Sequence, residues 1–202
     1  MKKLLILLTF WCTAITANAS LITIDIEDKV YGINDTLTAN IYISELEGAL
    51  GIQTLVSGFT FDFDFTKSLL DFGQVTFGDK LDVDSFFGIP SNAVGLYNPG
   101  DSFVKVSEET VADSIDLDIA QGGLSRFLLA SIDFTVLGNG QAIFGLSNIA
   151  IFDDFATSHD FISGEGNTAR LGNQVSVPEP STIAIFALAL LMLVNTTRKA
   201  KH

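Results

Sequence analysis

Between residues 21 and 153 the chain runs in short stretches of alternating apolar and polar residues. In FTFDFDF, Phe59, Phe61, Phe63 and Phe65 fall on one side, with Thr60, Asp62 and Asp64 on the other. A period of two is what a half-buried β-strand requires. TLTANIYIS likewise gathers Leu37, Ala39, Ile41 and Ile43 on one face. The same pattern predicts strands at LITIDIE, LLDFGQVTF, SFVKVS, SIDLDIA, RFLLASIDFTVL and QAIFGLSNIAIF. Turn residues separate them at 32–35, 66–68, 98–101, Gly122-Gly123 and Gly138-Asn139-Gly140. The best helical candidate between the termini is SELEGALGIQTLV, which two glycines weaken.

Roughly nine short strands at even spacing predict an all-β, two-sheet sandwich over residues 20–154. The phenylalanines suit such a core. Of 17 in the chain, only Phe10 and Phe186 lie in the terminal segments. Residues 155–176 are rich in Ser, Gly, Asn and Asp with weak periodicity, and read as a loop or final edge leading into an exposed tether.

The termini differ from this middle. Lys2 and Lys3 precede an apolar run, and Ala17-Asn18-Ala19 forms a small-x-small site. Residues 1–19 therefore read as a signal peptide cut between Ala19 and Ser20. A membrane helix is the competing reading, but the apolar run is short for one. At the other end, VPEPST is followed by STIAIFALALLMLV and then by RKAKH. Pro178 and Pro180 hold the backbone extended, and Ser181 or Thr182 can cap a helix. Residues 181–197 make about 25 Å of helix, a marginal span of a hydrocarbon core about 30 Å thick. Arg198, Lys199 and Lys201 predict a cytoplasmic tail, with the acidic domain on the far side.

This Pro-Glu-Pro triplet, short apolar helix and basic end resemble the PEP-CTERM sorting signal of Gram-negative bacteria. The resemblance implies that Pro178, Glu179 and Pro180 are recognition residues for an exosortase, a membrane-embedded processing enzyme. It also implies an inner-membrane intermediate that passes to the cell surface or the extracellular matrix of a biofilm. The basic end is mixed with Ala200 and His202 rather than an unbroken arginine run. In the β region, FTFDFDFTKSLLDFGQVTFG and RFLLASIDFTVLGNGQAIFGL resemble cohesin-like domains. Those are nine-stranded jelly-roll binding modules, which hold dockerins in cellulosomes.

Composition narrows the chemistry. The single cysteine, Cys12, lies in the signal segment, so the mature domain has no disulfide and no thiolate. Between Ser20 and Val177 there are 6 basic and 23 acidic residues, a net of −17, which disfavours nucleic acid as a partner. His159 and His202 are the only histidines, and no Gly-x-Ser-x-Gly elbow, metal-ligand spacing or phosphate loop accompanies them. No catalytic, cofactor-binding or metal-ligating residues are assigned. A structural calcium ion is weighed against a solvated acidic face at Asp79, Asp82 and Asp84, at Asp113, Asp116 and Asp118, and at Asp153, Asp154 and Asp160. None of these clusters follows the Asp-x-Asp-x-Asp-Gly loop.

The expectation is an exported, non-catalytic binding or matrix protein. Its partners would be the processing enzyme, extracellular polysaccharide or another surface protein, and the membrane before processing. The competing readings are a polysaccharide-modifying hydrolase on the same scaffold and a permanently C-terminally anchored envelope protein. The mature domain holds no tryptophan to serve as a sugar platform, since Trp11 is the only one.

Overall fold

The computed structural model describes residues 20–46, 53–83, 88–154, 161–163 and 166–172. All of them belong to one compact unit that ends at Gly172. The signal segment, the Pro-Glu-Pro motif, the apolar run at 181–197 and the basic tail lie outside the described residues. Among those described, no helix is long and apolar enough to cross a membrane.

The strands are β1 (Ser20–Ile26), β2 (Val30–Tyr31), β3 (Thr36–Ser44), β4 (Val56–Phe65), β5 (Leu70–Phe77), β6 (Asn92–Leu96), β7 (Phe103–Glu109), β8 (Arg126–Val136), β9 (Gly140–Asp153), β10 (Phe161–Ser163) and β11 (Thr168–Leu171). One helix, α1 (Ser114–Gln121), joins β7 to β8. A five-stranded sheet runs β10-β1-β3-β8-β5, and a six-stranded sheet runs β2-β11-β9-β4-β7-β6. The chain crosses between sheets at almost every connection, so each sheet is assembled from segments distant in sequence.

The alternation sets which side chains meet between the sheets. Phe59, Phe61, Phe63 and Phe65 are all buried, as are Leu37, Ala39, Ile41 and Ile43 opposite them. Phe134 of β8 joins the two layers. Its ring centroid lies 4.8 Å from that of Phe65, 5.8 Å from Phe63 and 6.0 Å from Phe144. Each fully buried side chain of this size stabilises the fold by about 1.5–3 kcal/mol, and no disulfide is needed to hold such a core.

Two expectations are corrected. SIDLDIA is a helix, not a strand. Asp113 Oδ1 accepts hydrogen bonds from the backbone N–H groups of Ile115 (2.9 Å) and Asp116 (3.0 Å), an N-cap that starts α1. The helical period then buries Leu117 and Gln121 and leaves Ile115 and Ile119 facing solvent. Gln121 explains why helix wins. Its carboxamide accepts from Val56 N (2.8 Å) and donates to Val56 O (2.7 Å) and Lys80 O (3.1 Å). It thereby satisfies the first residue of β4 on the side where β7, whose pairing begins at Gly58, does not reach it.

The stretch from 155 onward, read as a loop or final edge leading into a tether, contributes two strands, β10 and β11. β11 pairs antiparallel with β9 and parallel with β2, and it buries Ala169 and Leu171. Two inward positions in a four-residue strand are too short a pattern to register as periodicity. The predicted helix in SELEGALGIQTLV falls partly on residues 47–52, outside the described set. Its ends are the last residue of β3 and the first of β4.

Candidate interaction face

Directly paired residues of neighbouring strands point to the same side of a sheet. The registers of β6, β7, β4 and β9 therefore define rows on the outer face of the six-stranded sheet. One row is Leu96, Lys105, Asp62 and Ser147. The next is Val94, Ser107, Thr60 and Ala150, and the third is Asn92, Glu109, Gly58 and Phe152. Beyond the first row Phe103, Asp64 and Gly145 continue the surface. The middle of the face is flat, built of Thr60, Ser107 and Ala150. Apolar groups lie toward its margins: Leu96 is 58% exposed, and Val94, Phe103 and Phe152 are half-buried.

A bulge in β9 shapes this face. Apolar residues point inward at Phe144 and Leu146, and strict alternation would next turn Asn148 inward. Instead Asp62 pairs with Ser147 and Thr60 with Ala150, leaving two β9 residues opposite Phe61. Asn148 adopts φ 48°, a left-handed conformation that asparagine tolerates, and its Nδ2 donates to Asp62 Oδ2 at 2.6 Å. Ile149 and Ile151 are returned to the core side. Ser147 Oγ donates to Asp64 Oδ2 at 2.8 Å. Two aspartates of β4 thus hold β9 in its bulged register. The signal was present in the sequence as the phase slip between Leu146 and Ile149.

β6 forms the exposed edge of the face. Its outer side carries Asn92, Val94 and Leu96, and its inner side packs on β5 of the other sheet. A β-carbon on Gly95 would lie 2.9 Å from Val75 Cγ2, so glycine permits the approach. Next to it, Ala93 pairs with Glu108 of β7. Glu108 points inward and is only 2% exposed. Ser91 Oγ donates to its Oε1 at 2.7 Å, whereas Oε2 is buried without a hydrogen-bond partner. Burial pushes its pKa up, the Ser91 hydrogen bond opposes this, and the nearby charge of Asp82 adds to the rise.

The outer face of the five-stranded sheet is organised differently. Thr38 Oγ1 donates to Asp133 Oδ1 (2.7 Å), and Gln74 Nε2 donates to Asp133 Oδ2 (3.1 Å). Ser131 Oγ donates to Asn40 Oδ1 (2.7 Å). The Arg126 guanidinium sits 3.7 Å above the Tyr42 ring and 3.5 Å from Asp25 Oδ2.

Of the acidic clusters weighed for calcium, Asp113 is used as the helix cap and Asp154 accepts from Ser114 Oγ at 2.7 Å. Asp79 pairs with Lys80 at 3.2 Å. Asp116 and Asp118 lie on α1, on the helix rather than on the outer side of a strand. Asp84, Asp160 and His159 lie outside the described residues. Among the described residues no group of three or more His, Cys, Asp or Glu converges on a metal-sized site. Of the residues assigned to the signal-peptidase site, only Ser20 is described. It is the buried first residue of β1 and pairs with Phe161.

No known family matches the chain, and no curated protein does. Solved structures do match. A type II cohesin domain from the cellulosome of Acetivibrio cellulolyticus is 15% identical, with a TM-score of 0.58 over 75% of this chain and 95% of its own. The cohesin module of a Clostridium perfringens family 33 glycoside hydrolase is 12% identical, with a TM-score of 0.56 over 77% and 98%. A chain of a type I cohesin–dockerin complex from Clostridium thermocellum is 10% identical, with a TM-score of 0.54 over 75% and 99%. The domain therefore has a cohesin-like β-sandwich fold.

Proposed function

We propose that this protein is an exported, non-catalytic binding module that presents the outer face of β6, β7, β4 and β9 to a protein partner on the cell surface or in the extracellular matrix. The observation that carries the reading is the face itself. It has a flat middle of small residues, partly or largely exposed apolar groups toward the margins and a bulge pinned by Asp62 and Asp64 on the same face. A flat middle lets a second protein approach closely, and the flanking apolar groups, Leu96 foremost, lose water on contact. The Clostridium thermocellum cohesin binds a dockerin, and we carry over from it only the class of partner, a protein module. Export and sorting complete the reading. Residues 1–19 direct secretion, and an exosortase-type enzyme recognises Pro178, Glu179 and Pro180 while the apolar segment at 181–197 and the basic Arg198, Lys199 and Lys201 hold the precursor in the inner membrane. This part is supported by the three-part order of the C-terminal segment and by the small-x-small site at Ala17-Asn18-Ala19.

Two measurements test the reading. Titration against a panel of dockerin modules and of extracellular glycans, scored for binding and for turnover, is expected to give protein binding without turnover. Glycan cleavage would replace the reading with the hydrolase. Intact-mass analysis of the exported protein is expected to show loss of both ends. A dominant mature species that still carries RKAKH would favour a permanent anchor.

A further inference from the structure

Glu108 is the one buried side-chain oxygen site among the described residues that the fold leaves unsatisfied. An acid placed on the inward side of a strand is costly unless paired or neutral. Here the surroundings offer little pairing. Its register neighbours, Phe59 on β4 and Ala93 on β6, are uncharged. Lys105 and Glu109 of β7 point to the opposite face. Lys80 is held by Asp79. The charged group that bears on Glu108 is another carboxylate, Asp82. The single tie is the hydrogen bond from Ser91, which lies one residue before β6.

β6 is an edge strand. It has one hydrogen-bonded neighbour, β7, and its inner side is held by the close approach of Gly95 to Val75 and by the Ser91–Glu108 tie. An edge with so few attachments opens locally at lower cost than the central strands.

We propose that Glu108 is a proton-held latch: its neutral carboxyl group joins Ser91 to β7 and keeps the edge strand β6 seated, and loss of the proton releases that edge. An ionised Glu108 would keep the Ser91 hydrogen bond on Oε1 but leave a charged Oε2 without a partner, beside apolar groups and Asp82, and that oxygen reaches water by displacing the edge that covers it. The raised pKa gives the sign. A carboxyl group that holds its proton more tightly in the folded protein contributes stability that is complete below the ordinary Glu value. That stability is lost as pH rises through the folded value. The latch concerns the free protein and does not depend on what the outer face binds.

The test is hydrogen exchange and thermal melting of the full chain, kept in a non-ionic detergent, from pH 4.5 to 9. In the unsubstituted protein the melting midpoint should fall by about 3–5 °C per pH unit across the titration window. Protection factors of β6 amides, corrected for intrinsic exchange, should fall by up to about tenfold per unit. Glu108→Gln, which keeps the shape and an acceptor for Ser91, should abolish both dependences. Asp82→Asn should move the window to lower pH. If Glu108→Gln fails to fold, Ser91→Ala serves instead: it should lower β6 protection below the window, where the tie is closed, and move the window up. Three results would overturn the latch. One is the same pH dependence in Glu108→Gln, or unchanged β6 protection in Ser91→Ala. Another is protection lost equally from both sheets. The third is a calcium-dependent rise in midpoint that Glu108→Gln removes, which would make Glu108 part of a cation site.

Discussion

On the outer face of the five-stranded sheet, Thr38, Asp133 and Gln74 are hydrogen-bonded across three strands, and Ser131 is bonded to Asn40. In the middle of the six-stranded sheet's face, Thr60, Ser107 and Ala150 make no such side-chain bonds among the described residues. The first face satisfies its own polar groups and gains little when water is removed from it. The second spends its aspartates on fixing the β9 bulge and leaves its centre flat, with Leu96 exposed beside it. Polar residues on a sheet surface thus serve two ends. One is cross-strand cohesion, worth about 0.2–1 kcal/mol per pair, and the other is a surface free to be covered.

The largest expected effect would come from an intrusion into the flat centre. Thr60→Arg should weaken binding of the protein partner by about 100-fold, roughly 3 kcal/mol, with the melting midpoint unchanged. The matching change on the other face, Asn40→Arg, should leave affinity intact. Calorimetric titration of both variants checks this, and equal losses would erase the distinction between the faces. Next in size, Asp133→Ala removes a carboxylate that accepts from two side chains, and should cost about 1–2 kcal/mol in urea unfolding without affecting binding. Arg126→Ala should cost about 0.5–1 kcal/mol, since the guanidinium over Tyr42 and its ion pair to Asp25 are both partly exposed. Arg126→Lys should keep part of that, because an ammonium lacks the planar stack. Smallest is Ser147→Ala, at about 0.5 kcal/mol, because Asp64 stays accessible to water and Asn148 still holds the bulge.

Much of the architecture was legible from alternation. The four phenylalanines of β4 and the apolar set of β3 face the core as their period of two requires. The helix was not legible, because Ile115, Leu117 and Ile119 alternate as they would in a strand. Only the cap at Asp113 and the docking of Gln121 on Val56 decide for a helix. The strands β2, β6, β10 and β11 were missed for a related reason. They are two to five residues long, too short to show a period. Of the candidate face, the outward Thr60, Asp62 and Asp64 could be placed from β4 alone. Their neighbours on β7 and β9 could not, since the pairing joins segments distant in sequence and, on β9, shifts at the bulge at Asn148.

By itself the sequence determined an all-β class, an acidic surface, the absence of cysteine chemistry from the domain and the expectation of two terminal addresses. Each of these depends on residue type or on spacing within one segment, which the chain carries locally. The tertiary structure alone decided which strands lie side by side, which polar residues spend their hydrogen bonds on one another, and that Glu108 ends inside while Glu109 ends outside. Those outcomes depend on contacts between segments tens of residues apart. Only the packing of two sheets against each other sets which contacts form.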